Sequence, residues 1–201
     1  MKKKVGILGG AVDPITKGHI QIAHFVLDNT DIDEIWVVPC YSHIFDKKMA
    51  SPEDRLKMCE VAVKDEPNIK VSDLDIQYQA TCTVVFVNNL LKGHPWLPDK
   101  YEFSYIIGMD NANTFDKWIE ADKLKTMIRF IVVPRQGIKE DSNVQWYKKK
   151  PHIYLKADKP IDKTSSTQIR ELIQEGEFGN VFNLLNHDVY KYAVMKENLY
   201  K

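Results

Sequence analysis

Gly9-Gly10-Ala11-Val12-Asp13-Pro14-Ile15-Thr16-Lys17-Gly18-His19 is the stretch that decides the fold. Before it, Lys4-Val5-Gly6-Ile7-Leu8 reads as a buried first strand. After it, Ile20, Ala23, Phe25, Val26 and Leu27 recur with mostly helical spacing, so a helix begins near Gly18. A strand, a glycine turn and a helix in that order open a βαβ unit. In an open parallel sheet, ligands bind beyond the carboxyl ends of the strands. Glycines there let backbone amides approach an anion closely, and the following helix points its positive end at the same place. His19 at the helix start can donate a hydrogen bond to a phosphate, and Thr16 one turn earlier offers a hydroxyl. The spacing is neither GxGxxG nor a Walker loop, so the two commonest nucleotide motifs are absent.

The rest of the chain repeats the alternation. Residues 35–39 are an apolar run ended by proline. Ser51-Pro52-Glu53-Asp54 supplies an N-cap, a proline at the first helical position and acids in the first turn, which predicts a helix to about Lys64. Residues 68–72, 103–107 and 129–133 read as strands, and 153–155 as a weaker one. Residues 84–91, 168–175 and 188–196 read as helices. Residues 136–150 are polar and read as an exposed loop whose Lys148-Lys149-Lys150 is a solvated charge run. Short apolar runs between helices mean a parallel sheet.

Composition bounds the function. The chain has 201 residues, with 28 Lys plus Arg against 28 Asp plus Glu. A zero balance argues against a general nucleic-acid binder, which needs a basic excess. The length suits one α/β domain over residues 1–201. Cys40, Cys59 and Cys82 are too few and too scattered for a disulfide framework or a zinc site, so reduced thiols in the cytoplasm are expected. The basic start, Met1-Lys2-Lys3-Lys4, is followed by too short an apolar run for a signal peptide, and no stretch nears the roughly 20 apolar residues of a membrane span.

A second string, Thr164-Ser165-Ser166-Thr167-Gln168-Ile169-Arg170, precedes a helical segment. Consecutive hydroxyls at a helix start present side-chain oxygens and free backbone amides together, and Arg170 offers a fork of donors suited to phosphate. Alone it would be no more than an N-cap with a surface arginine.

Together the two strings resemble the G-x-F-D-P-x-[HT]-x-G-H and I-S-S-T-x-I-R signatures of the nucleotidyltransferase superfamily with a HIGH-like motif. Gly9, Asp13, Pro14, Gly18 and His19 match the first. Val12 stands where Phe is usual, and Thr16 where many members have a first His. The second matches except that Thr164 replaces Ile. The resemblance implies a Rossmann-like single domain, an open and mostly parallel sheet with helices on both faces. It implies ATP binding by Gly9, Gly10, Ala11, Val12, Gly18, His19, Ser165, Ser166 and Arg170, and catalysis by His19, Thr16 and Arg170.

Gly108-Met109-Asp110-Asn111-Ala112-Asn113-Thr114-Phe115-Asp116-Lys117-Trp118 further resembles the G-x-D-x(4)-F-x-x-W segment of nicotinate and nicotinamide mononucleotide adenylyltransferases. There the aspartate lies near the adenosine ribose and the tryptophan stacks on the pyridine ring. This puts Gly108 and Asp110 with the ATP residues and Trp118 with the acceptor. Thr83, Lys48 and Arg135 complete the expected acceptor site. Residues 50–58 look like the A-S-x-E-x-R-x-x-M helix of this branch. Ala80-Thr81-Cys82-Thr83 stands where the branch has P-S-Y-T, a weak match that leaves acid or amide acceptor open.

The implied reaction is adenylyl transfer from ATP to nicotinate mononucleotide, giving deamido-NAD and pyrophosphate. The acceptor phosphate is already anionic and needs no general base, so catalysis is positioning and charge stabilisation. Mg²⁺ would bridge the triphosphate and keep several waters, so no protein metal ligand is assigned. The alternatives are nicotinamide mononucleotide as acceptor, a phosphopantetheine-type adenylyltransferase, or a nucleotide-binding regulator without turnover. Small molecules, with neither nucleic acid nor membrane, are the expected partners. A homo-oligomer is compatible with the sequence.

Overall fold

A computed structural model describes residues 1–42, 49–94, 96–157, 161, 164–196 and 199–200. The elements follow one another as β1 (Lys3–Gly10), α1 (Lys17–Asn29), β2 (Glu34–Pro39), α2 (Pro52–Val63), β3 (Ile69–Val71), α3 (Leu74–Gln77), α4 (Thr83–Lys92) and α5 (Trp96–Lys100). Then come β4 (Tyr101–Gly108), α6 (Met109–Asn113), α7 (Ala121–Met127), β5 (Arg129–Val133), β6 (Ile153–Tyr154), α8 (Ser166–Gln174), α9 (Phe178–Leu184) and α10 (His187–Met195). Short 3₁₀ turns span Phe115–Lys117 and Trp146–Lys148.

The six strands form one sheet in the order β3-β2-β1-β4-β5-β6, and every pairing is parallel. This is the doubly wound order, in which the chain reverses direction across the sheet between β1 and β4. Side chains alternate faces along a strand, and here both faces are apolar. Val5, Ile7, Phe103, Tyr105, Ile107, Phe130 and Val132 point to one cluster, where α4 and α7 pack. Leu8, Ile35, Val37, Ile106, Ile131 and Val133 point to the other, where α1, α2, α8 and α10 pack. Two buried faces explain why the strands read as continuous apolar runs rather than alternating ones.

The expected fold class holds, and every expected strand and helix exists within a few residues. The sequence reading missed α3, α5, α6, α7 and α9, which run only four to seven residues. So short a segment completes too few turns for a 3.6-residue period to emerge. One expectation is corrected. The 136–150 segment is not simply exposed: Tyr147 is fully buried, and Trp146 packs against the second apolar cluster. Lys148 pairs with Glu140 at 2.6 Å and lies over the Tyr147 and Tyr154 rings.

Candidate active site

The end of β1 lies at the switch point, with β2 on one side and β4 on the other. A methyl group at Gly9 would sit 2.1 Å from the Tyr105 hydroxyl, so only glycine fits. At Gly10 a methyl group would meet nothing within 4 Å, which marks that side of the turn as open. Val12 follows at φ 42 and is buried. A β-branched residue in the left-handed region is strained, and such strain persists only where the surroundings over-determine it.

Those surroundings are long-range hydrogen bonds. Arg55 is itself buried and donates from Nη1 to the Ala11 carbonyl at 3.1 Å and from Nε to Ala50 at 3.1 Å. Arg170 Nη1 donates to the Asp13 carbonyl at 2.6 Å, and Ser166 Oγ to the Pro14 carbonyl at 2.9 Å. The two strings separated by about 150 residues in sequence therefore touch. Arg170 also reaches Thr167 Oγ1 at 3.2 Å, and its Nη1 lies 3.8 Å from the Asp13 carboxylate. It sits in the second turn of α8, because Ser165 is the N-cap and accepts from Gln168 N–H.

Thr16 is the N-cap of α1 and is 2% exposed. Its N–H donates to His19 Nδ1 at 3.1 Å, its hydroxyl lies 2.8 Å from the same nitrogen, and its oxygen accepts from His19 N–H at 3.4 Å. This is a capping box with His19 where Glu or Gln is usual. An Nδ1 that accepts from a backbone N–H carries no proton, so the proton of the neutral ring lies on Nε2, which is left as a donor. Burial, and then the positive charge of Arg135, lower the His19 pKa to about 4. The imidazole is thus held neutral, with one defined N–H.

Arg135 follows β5 and Asp110 opens α6. They pair at 2.9 Å from Nη1 to Oδ2. A methyl group at Gly108 would lie 2.4 Å from Asp110 Oδ1 and 2.7 Å from Arg135 Cδ. Asp110 Oδ1 and Arg135 Nε are buried, with no hydrogen bond from the described residues. An acceptor and a donor left open beside the switch point are groups a polar ligand would satisfy.

Thr83 is the first residue of α4. Trp118 is half-buried, its ring 4.9 Å from Phe115, and Phe115 in turn lies 4.3 Å from Trp146. Lys48 lies outside the described residues. Sequence reasoning assigned no role to Tyr105, Asp75, Trp146 or Tyr200, and took Arg55 only as part of a helix pattern. Asp75 is buried and accepts from Tyr41 N–H at 2.7 Å, and burial raises its pKa to about 6. Only contacts between distant segments single these residues out. Cys40, Cys59 and Cys82 are free thiols. Among the described residues no cluster of three or more His, Cys, Asp or Glu side chains could hold a metal ion, and no helix is long and apolar enough to cross a membrane.

A doubly wound parallel sheet with a glycine turn, a neutral histidine donor and open polar groups at its switch point defines an α/β nucleotide-binding domain. Residues 7–172 match the family model described as Cytidylyltransferase-like. A "Probable nicotinate-nucleotide adenylyltransferase" of Flavobacterium johnsoniae is 34% identical over 98% of this chain and 99% of its own length. The structure of Plasmodium falciparum nicotinic acid mononucleotide adenylyltransferase complexed with NaAD superposes with a TM-score of 0.83 at 26% identity, covering 98% of this chain and 97% of that one. The structure of the same protein complexed with APC gives a TM-score of 0.80 at 25% identity, over 98% and 97% of the two chains. The chain belongs to the Cytidylyltransferase-like family and, within it, to the nicotinate-nucleotide adenylyltransferases.

Proposed function

We propose that this chain transfers the adenylyl group of ATP to nicotinate mononucleotide, a step of NAD biosynthesis. The acceptor's phosphate oxygen forms a bond to the α-phosphorus, the bond from that phosphorus to the bridging oxygen breaks, and pyrophosphate leaves. One observation carries the reading: the turn at 9–19 and the helix start at 164–170 meet at the switch point, with a neutral His19 donor on the turn. The names of its relatives agree.

In this reading the amides of Gly9, Gly10, Ala11 and Val12, together with Gly18, Ser165 and Ser166, line the triphosphate path. His19 Nε2–H donates to oxygens of the reacting phosphate, where charge grows in the transition state. Thr16 fixes the ring and its tautomer. Arg170 holds the turn through Asp13 and adds positive charge. Asp110 Oδ1 accepts from a ribose hydroxyl, beside Gly108. Trp118 stacks on the pyridine, and Thr83, Lys48 and Arg135 take the acceptor's polar groups. No protein ligand is assigned to Mg²⁺, which triphosphate oxygens and water would carry. When bound, the ion neutralises phosphate charge. We read residues 1–201 as one nucleotidyltransferase domain, because both apolar clusters share one sheet, and we place the enzyme in the cytoplasm, where free thiols persist.

Steady-state kinetics with Mg-ATP and either mononucleotide, read by pyrophosphate release, test this. A higher kcat/KM for the nicotinate substrate is expected. Preference for nicotinamide mononucleotide would change the acceptor and keep the reaction. ATP binding without pyrophosphate release from either acceptor would leave a nucleotide-binding regulator.

A further inference from the structure

Asp13 is the one carboxylate inside the turn. It is fully buried, and its two oxygens lie 3.3 and 3.4 Å from the Ala50 N–H. Its shortest side-chain hydrogen bond comes from Tyr200, 187 residues further along, whose hydroxyl donates to Oδ1 at 2.7 Å. Tyr200 is 6% exposed, and its hydroxyl also lies 3.7 Å from Met58 Sδ, inside α2. The element before it is fastened to the same helix. Tyr192 OH donates to Asp54 Oδ1 at 2.7 Å, and Lys196 pairs with the same carboxylate.

Each neighbour of strained Val12 is therefore gripped from outside the turn. Arg55 holds Ala11, Tyr200 holds the Asp13 side chain, and Arg170 holds the Asp13 carbonyl. Without the tyrosine hydroxyl, an oxygen of a buried carboxylate loses its best donor and must reorient or draw in water. The residues that would move are Val12 and Ala11, whose backbone faces the ATP phosphates in the reading above.

We propose that Tyr200 is a positioning residue for ATP, acting through Asp13 on the backbone of the phosphate turn. The inference rests on that reading of the turn as the ATP site. Tyr200 does not touch the nucleotide. Its hydroxyl holds the carboxylate so that the strained conformation at Val12 is already in place before ATP arrives.

The test compares Tyr200→Phe, which removes the hydroxyl and keeps the ring, with wild type and with Ile173→Val, a mild core change in the same apolar cluster. Titration calorimetry with Mg-ATP alone and steady-state kinetics are both read at a temperature where all three are folded. Tyr200→Phe is expected to weaken ATP binding and raise KM for ATP about tenfold, with KM for the mononucleotide within about twofold. Ile173→Val should change neither. Unchanged ATP affinity in Tyr200→Phe, or an equal rise in both KM values, overturns the proposal. A second measurement needs no variant. In the wild-type protein, Mg-ATP should slow amide exchange at Leu199 and Tyr200 together with Gly10 to Val12, and unchanged exchange at Tyr200 overturns the proposal equally. If wild type binds ATP but releases no pyrophosphate with either acceptor, the catalytic reading fails, while the calorimetric comparison still decides the role of Tyr200.

Discussion

Around residues 9–19, side chains from far along the chain converge on backbone: Arg55 on Ala11, Arg170 on Asp13, Ser166 on Pro14. Around Trp118 there is little such bonding. Rings lean on rings, Trp118 on Phe115 and Phe115 on Trp146, with Lys125 over the last two. The first region fixes main-chain amides, which serve any phosphate and depend on exact backbone placement. The second builds a flat apolar surface, which tolerates small shifts but depends on bulk. A transferase that must hold a reacting phosphate rigidly and select an acceptor by its ring needs both.

That contrast predicts different kinetic losses on the two sides. In the proposed reading His19 donates where charge develops, so in His19→Ala kcat should fall by about 10² to 10³ with KM for the mononucleotide little changed. If Trp118 stacks on the acceptor ring as proposed, in Trp118→Ala KM for the mononucleotide should rise about tenfold, as for other base–aromatic stacks, with kcat within a few-fold. Initial rates with each substrate varied at saturation of the other check both. If the two variants lose kcat and KM in the same proportion, the division of labour is wrong.

The same contrast explains what the sequence made legible. The phosphate side is carried by contiguous strings, because a turn that cradles an anion is a local backbone conformation with local residue requirements. Gly9, His19 and the hydroxyls before Ile169 could therefore be picked out in a linear reading. The doubly wound sheet was legible for a similar reason: strands buried on two faces are short apolar runs ended by Gly or Pro. The side proposed for the acceptor is assembled across the fold. Nothing near Trp146 announces that its ring backs Phe115 and its indole N–H reaches the Ala112 carbonyl at 3.2 Å, so its segment read as a polar loop. Tyr105 was legible only as a strand residue, because its hydroxyl acquires meaning from Gly9 on the neighbouring strand.

The adjacent glycines of the turn sharpen the point at smaller cost. Gly9→Ala drives a methyl into the Tyr105 hydroxyl, and overpacking of this kind costs about 1–3 kcal/mol. Gly10→Ala meets open space in the ligand-free fold, so its stability should stay within about 0.5 kcal/mol, while the added methyl hinders phosphate approach and raises KM for ATP. Urea unfolding of both variants, alongside ATP kinetics for Gly10→Ala, tests this. A Gly10→Ala protein that is destabilised as much as Gly9→Ala would mean that the open side of the turn is not a ligand face.

The smallest expected effect concerns two buried titratable groups, His19 and Asp75, which should oppose one another. In the ligand-free protein burial, reinforced by Arg135, holds His19 at about 4, against 6.5 for an unhindered ring. Between those values the unfolded chain binds more protons at this site, so its contribution to stability rises with pH and is lost on acidification. Asp75, near Tyr105, is raised by burial from 3.8 to about 6. There the folded chain binds more protons, so its contribution is full below about 3.8 and is lost as pH rises through 6. The slopes have opposite sign and overlap, so wild type should show a shallow profile between pH 4.5 and 6.5. Asp75→Asn should unmask the rise contributed by His19, and His19→Ala the fall contributed by Asp75. Unfolding free energies from urea titrations across that range measure the slopes, and the imidazole resonances of His19 without ATP locate its midpoint directly. A midpoint near 6.5 would mean that burial and the Arg135 charge do not hold the ring neutral, and the neutral Nε2–H donor proposed for the phosphate would be lost at mildly acidic pH.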